Sequence, residues 1–256
     1  MVSEERENVQ LENKNAVIYG AAGAMGSAVA RAFADEGAKV FLAGRTATTL
    51  DALADEIRRS GGVAETALVD AMDPSSVASH ADQVVATAGS IDVSFNAISY
   101  RVVQNIPLVE MSLEDFMAPV MGACRTHFIT STVAARHMTA QGSGVIVLLS
   151  ATSALEWRHE MGGFNLACAS IEALTRSLAG EVGRYGVRVV GLRPNFTPET
   201  VPGITEEDIK LNVSNALLGR LPRLREVAGT AVYLASDAAG AMTGAVVNLS
   251  CGAVFD

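Results

Sequence analysis

Short apolar runs and longer amphipathic stretches alternate along this chain. The runs cover residues 16–19, 40–43, 66–69, 93–96, 145–149, 187–192 and 245–249. They are rich in Val, Ile, Leu and Ala, the pattern of strands buried on both faces of a parallel sheet. Helical periodicity fills the gaps, over 24–36, 48–59, 75–88, 113–138, 164–184 and 225–235. In the fifth of these, Ala167, Ile171, Leu174, Leu178 and Val182 recur at helical spacing and make one apolar face. Asp73 before Pro74 predicts an N-cap with proline in the first turn, and Ser112 with Asp115 forms a capping-box-like pair. Seven strands alternating with helices predict an α/β fold, a doubly wound parallel sheet with helices on both faces. One domain is expected over 14–256, behind a flexible, solvated arm over 1–13. In this architecture ligands bind beyond the carboxyl ends of the strands, so the residues just after each strand carry the functional argument.

Composition narrows the partners. Of 256 residues, 49% are apolar and 18% charged, with mean hydropathy +0.28, enough for a substantial core. The net charge of −9 argues against non-specific nucleic-acid binding and against an anionic membrane. No apolar run has the length of a membrane span, and the acidic start reads as neither signal peptide nor anchor. Cys124, Cys168 and Cys251 lie far apart with no metal or redox spacing, so no metal is expected and a cytoplasmic setting is.

The first strand runs into Gly20, Ala21, Ala22, Gly23, Ala24, Met25 and Gly26, and then into a helix. Small residues there let the backbone approach a pyrophosphate at the helix N-terminus. A tight turn with nothing bound is the plainer alternative, but a glycine string between a first strand and a helix favours a dinucleotide. The second strand ends at Gly44 and Arg45, with no acid to hold a ribose 2′-hydroxyl. A guanidinium suits a 2′-phosphate, so NADP(H) is expected over NAD(H). A surface arginine is the alternative.

These landmarks together resemble the short-chain dehydrogenase/reductase family over residues 14 to 254. The glycine turn resembles its TGxxxGxG motif, with Tyr19 for threonine and Ala24 for the middle glycine. Asp70, with Ala71 beside it, resembles the adenine-contacting acid. Asn96, Ala97, Ile98 and Ser99 stand where NNAG stands, and 173–179 resembles the long fifth helix. Arg193, Pro194 and Asn195 resemble the segment that ends in PG, with Thr197 following. Tyr233-Leu234-Ala235-Ser236-Asp237 and Thr243-Gly244 resemble the C-terminal landmarks. The resemblance implies a Rossmann-type NAD(P) fold, cofactor contacts from these residues, and a homotetramer or dimer built through the fourth and fifth helices.

It also implies a catalytic Asn, Ser, Tyr and Lys, whose slots fall on Ala123, Ala151, Phe164 and Cys168. A shifted register does not restore the lysine, because the chain has none between Lys39 and Lys210. Without that tyrosine, carbonyl reduction loses an acid catalyst that contributes roughly 10²–10⁴. Near the expected mouth remain Ser150, Trp157, Arg158 and Glu160, with Tyr100, Ser153 and His159 as proton-donor candidates. Each has a plainer role, as lid contact, turn cap or solvated loop residue respectively. Three functions follow. The first is an NADP(H)-dependent oxidoreductase with a non-standard site, acting on a small, apolar imine, enone or ketone. The second is an NADP(H)-binding pseudoenzyme that regulates or partners a competent relative. The third is a non-redox lyase, isomerase or cyclase.

Overall fold

The computed structural model describes residues 9–156 and 160–255. Among them the strands are β1 (Asn15–Tyr19), β2 (Lys39–Gly44), β3 (Val63–Leu68), β4 (Val93–Asn96), β5 (Gly144–Leu149), β6 (Val187–Pro194) and β7 (Val246–Leu249). The helices are α1 (Ala24–Asp35), α2 (Ala47–Arg59), α3 (Pro74–Ala88), α4 (Leu113–Gln141), α5 (Phe164–Val182), α6 (Glu206–Val213) and α7 (Leu224–Ala235). The strands pair in the order β3-β2-β1-β4-β5-β6-β7, every pair parallel. This is the expected doubly wound sheet.

Side-chain alternation sorts the core into two layers. Along β1, Ala16 and Ile18 enter one, with Phe33 of α1, Leu50 of α2 and Val227 of α7. Val17 and Tyr19 enter the other, with Val77 of α3, Val133 of α4 and Ile171 of α5. Fully burying a side chain such as Phe33 contributes about 1.5–3 kcal/mol. Tyr19 is in register with Ala43 on one side and Asn96 on the other. The winding reverses between β1 and β4, so the loops after β1, β2 and β4 open a crevice at one edge.

The two anticipated caps form. Asp73 accepts the Ser75 N–H at 2.9 Å, and Ser112 Oγ accepts the Asp115 N–H at 3.1 Å. Such caps contribute about 1 kcal/mol each. Several boundaries differ from the periodicity. Helix α4 runs on to Gln141, where left-handed Gly142 stops it. Helix α5 ends at Val182 in a tighter turn, Gly183–Tyr185, and its Leu174 is only half-buried. Strand β3 starts at Val63, three residues before the apolar run 66–69, because its edge position leaves the strand partly exposed and admits Glu65 and Thr66 within it. Helix α6 has its own capping box, Thr205 with Asp208.

The expected arm over 1–13 is corrected in part. Residues 1–8 lie outside the described residues, but Leu11 is completely buried and its N–H donates to Glu36 O at 2.9 Å. Gln10 N–H donates to the Glu36 carboxylate at 2.9 Å. Burying Leu11 below the end of α1 outweighs the polar character of its neighbours. Among the described residues no helix is long and apolar enough to cross a membrane.

Candidate active site

The loop after β1 is shaped by backbone. Gly20 has φ 74°, and a Cβ there would sit 2.6 Å from Ala97 O. A Cβ on Gly26 would collide with Gly20 O, so α1 approaches the loop only because residue 26 is glycine. Gly20 and Ala21 N–H donate to Ala43 O, and Gly23 N–H donates to Gly20 O at 3.0 Å. Gly23 caps α1 without a side chain, so the first-turn N–H groups have no side-chain acceptor. An uncapped helix start beside a glycine turn fits a phosphate.

Beyond this loop lies a cleft of two adjoining cavities. One, about 680 Å³, is lined by Gly20, Ala22 and Gly23, by Arg45, and by Asp70 and Ala71. The Asp70 carboxylate accepts the Met72 N–H at 2.9 Å and so braces its own loop. The other, about 320 Å³, is lined by Ala24 and Met25, by Asn96, and by Tyr100, His127, Ser150, Phe164 and Cys168. Gly23, Ala97 and Tyr100 line both. Most of the expected cofactor residues therefore converge on one cleft. Gly26, Pro194 and Thr197 do not line it: Gly26 acts by letting α1 approach, and Thr197 is buried with its hydroxyl spent on Asn195 O. Thr200 stands nearer, in the smaller cavity. The Asn96 amide donates to Thr130 Oγ1 at 2.8 Å and accepts the Ile98 N–H at 3.0 Å, so it fixes the loop after β4.

The smaller cavity is built by β4, β5, α4 and α5. Tyr100 packs on Gly122, where a Cβ would lie 2.6 Å from its own Cβ. Its ring stands 6.4 Å from that of Phe164 at 45°. Burial, aided by the Cys168 and Cys124 thiols, holds the phenol above its usual range, so it stays neutral. Phe164 opens α5 after Gly163, where a Cβ would collide with Phe116 O of α4. Burial, then the nearby Glu172 charge, pushes the Cys168 thiol up to about 12, so it is no thiolate nucleophile. Ala123 is fully buried, and Ala151 follows Ser150 at the end of β5.

Of the three proton-donor candidates, Tyr100 lines the cavity. Ser153 does not; it is 4% exposed in the short turn Thr152–Ala154, whose burial turns it inward. His159, with Trp157 and Arg158, lies outside the described residues.

Three roles escaped the sequence reading, those of Glu172, Arg193 and His127. Ser150 Oγ donates to Glu172 Oε1 at 2.9 Å, and Arg193 clasps the same carboxylate through Nε at 2.7 Å and a terminal nitrogen at 2.8 Å. Both ions are about 4% exposed. Opposite charges embedded in an apolar helix face and an apolar strand were the available signal. The third is His127, one turn after Ala123 and 2% exposed. Its Nδ1 lies 3.0 Å from Ala123 O, while its Nε2 is buried without a hydrogen-bond partner. Burial lowers its pKa to about 4, against the opposing pull of the Ala123 and Leu149 carbonyls. Its spacing with Ala123, Thr130 and Ala134 marks it as part of the buried stripe of α4.

A family model described as enoyl-(acyl carrier protein) reductase matches residues 20–253, and the chain belongs to the short-chain dehydrogenase/reductase family of NAD(P)-dependent oxidoreductases. Its relatives include the uncharacterized oxidoreductase YxbG of Bacillus subtilis, 32% identical over 244 residues, covering 92% of this chain and 89% of that one. A cis-4-hydroxycyclohexanecarboxylate dehydrogenase of Sinomonas cyclohexanicum is 31% identical, covering 93% and 95%. A solved short-chain type dehydrogenase/reductase from Mycobacterium marinum superposes with TM-score 0.86 at 29% identity, covering 97% and 98%.

Proposed function

We propose that this chain binds NADP(H) along the cleft and transfers hydride between it and a small, apolar substrate through a non-standard site. The observation that carries the reading is a contrast within one cleft: a glycine-shaped cradle beside a cavity where Phe164 and Cys168 take the expected tyrosine and lysine slots. The bound nicotinamide would supply the hydride. Gly20, Gly23 and the start of α1 hold the pyrophosphate, Arg45 meets the 2′-phosphate, and Asp70 borders the adenine. Tyr100, neutral and lining the smaller cavity, offers its hydroxyl to the substrate. Hydride transfer depends on positioning, so a substrate that needs little acid help, an imine, an enone or an activated ketone, tolerates Phe164.

Stopped-flow mixing of the protein and NADPH with a panel of imines, enones and ketones tests this. Oxidation of NADPH by at least one class is expected; none at all would count against it. The same four slots favour a second reading, a coenzyme-binding regulator or partner subunit. It is recognised by tight NADPH binding, no turnover, and co-purification with an active relative. Product formation without nicotinamide would instead indicate a lyase, isomerase or cyclase.

The free thiols Cys124, Cys168 and Cys251 are in keeping with the cytoplasm. A second copy of this chain covers the exposed apolar side chains Met121 and Phe128 of α4 and Leu166 of α5. Phe128→Arg is expected to shift the sedimenting species toward monomer.

A further inference from the structure

Most side-chain protons lining the smaller cavity are already engaged or absent. Ser150 Oγ donates to Glu172 Oε1 at 2.9 Å, and Thr200 Oγ1 donates to Thr197 O at 2.7 Å. The His127 ring, kept neutral because burial lowers its pKa to about 4, lies against the Ala123 and Leu149 carbonyls. Burial pushes the Cys168 thiol up to about 12, and the Phe164 ring has no proton to give. Ser99 carries a hydroxyl on the same wall, but it is exposed, so water competes for it. Tyr100 differs from all of these in how it is held.

Its seat is made by α4. A Cβ on Gly122 would stand 2.6 Å from Tyr100 Cβ and 3.1 Å from its Cγ, so the side chain lies on the helix because residue 122 is glycine. The ring centroid is 6.4 Å from that of Phe164, and Tyr100 lines both cavities, so it stands where they join. A glycine on α4 thus puts a phenol beside the place where α5 presents only a phenyl ring. Burial, then the Cys168 thiol of α5 and the Cys124 thiol of α4, holds that phenol above its usual range. The adjacent Arg101 is paired with Asp115 and Glu114. Tyr100 is therefore a neutral hydrogen-bond donor near pH 7.

Resting on the hydride-transfer reading above, we propose that Tyr100, seated on Gly122, is the proton donor to the carbonyl oxygen of a small ketone. The carbonyl carbon accepts a hydride with its electron pair from the reduced nicotinamide, which is oxidised. The C=O π pair moves onto oxygen, and that oxygen takes the Tyr100 proton to become a hydroxyl. Tyr100 is partly exposed, so its phenolate regains a proton from solvent water. The reverse reaction needs the phenolate first. The site is therefore a reductase near neutral pH and oxidises the alcohol only as pH rises.

The fastest ketone of the panel above tests the donor. Tyr100→Phe should lower its kcat about a hundredfold. Gly122→Ala, which displaces the phenol without removing it, should lower kcat about tenfold with a smaller change in KM. Two measurements do not depend on activity of a variant. In the wild-type protein between about pH 6 and 7.5, below the range in which thiols ionise, kcat/KM for the ketone should be flat, and that for its alcohol should rise about tenfold per pH unit. Without coenzyme, calorimetry should show δ-valerolactam, a carbonyl acceptor that takes no hydride, binding Tyr100→Phe about tenfold more weakly than wild type. Unchanged kcat in Tyr100→Phe, a loss in Ser99→Ala in its place, or equal lactam binding overturns the proposal. So does a step near pH 6.5 in the reduction, which would put the proton on a histidine such as His159, outside the described residues. Turnover of imines alone would remove Tyr100 as donor and leave hydride transfer standing; no turnover of any substrate would remove both.

Discussion

The two halves of the cleft are made of different material. The nucleotide half is backbone: Gly20 in a left-handed conformation, Gly26 under the Gly20 carbonyl, and an uncapped helix start. The substrate half is side chains: Tyr100 against Phe164, Ser150 on the Glu172–Arg193 pair, and His127 with one free nitrogen. At Gly20 and Gly26 this backbone site tolerates almost no substitution, because an added Cβ collides with main chain. A side-chain site can be rewritten one residue at a time while the sheet beneath it stays. On the proposed reading, binding of the coenzyme and choice of chemistry are separable in this fold, and each variant below should touch one half and spare the other.

The largest effect is expected from Arg193→Met. It leaves Glu172 charged and buried without its guanidinium, which costs about 3–5 kcal/mol of unfolding free energy in a urea titration. Adding Glu172→Leu should recover most of that loss, because an apolar pair replaces an ionic one. A loss below about 1 kcal/mol would mean that the pair is solvated and that Ser150 is not held by it.

Acid should strike both halves. His127 lies in the substrate half, and His80 packs edge-on against Tyr19 behind the nucleotide half. Burial lowers each to about 4 from an ordinary 6.5. As pH falls through 6.5 the unfolded chain takes up these protons first. Stability is therefore lost between about pH 6.5 and pH 4 and levels off below, by up to about 3 kcal/mol for each ring. His80→Phe and His127→Phe should each flatten that part of the pH–stability curve; a curve unchanged in both would show that neither ring is buried neutral.

Gly26→Ala addresses the nucleotide half alone. The new methyl must push α1 away from Gly20 O, misaiming the N–H groups of its first turn. NADPH affinity, read from nicotinamide fluorescence, should fall about a hundredfold. Ser150→Ala, in the other half, should leave that affinity where it was. Similar losses in both variants would erase the division between the halves.

The same contrast explains what was legible from residue order. Glycines with a backbone task leave a spacing, so the loop 20–26 and its place between β1 and α1 could be read directly. So could the buried strands, whose apolar runs are set by packing on both faces. Edge strand β3 and docked Leu11 were harder, because partial exposure mixes polar and apolar positions. Of the polar wall of the substrate half, Ser150 and Tyr100 could be placed near the mouth, but their partners could not. Glu172 and Arg193 are far apart in the chain and become partners only where α5 packs on β6. His127 looked like any residue of a long helix until the fold placed it beside Ser150 in one cavity.

The smallest effect expected is also the one that decides coenzyme preference. Arg45 is an exposed side chain at the end of β2, and the same cavity edge carries Thr46 and Thr49. No acid follows β2 to bind a 2′-hydroxyl, and the Asp70 carboxylate is engaged by its own loop. On the NADP(H) reading proposed above, Arg45 meets the 2′-phosphate at this edge. Because the pair would be solvent-exposed, its contribution is modest: Arg45→Ala should weaken NADPH about tenfold and leave NADH unchanged. The preference should also shrink as salt rises, since exposed charges are screened. Equal affinity of the wild-type protein for the two coenzymes at low salt would show that Arg45 is a surface residue, and would leave the cradle intact as a site for either.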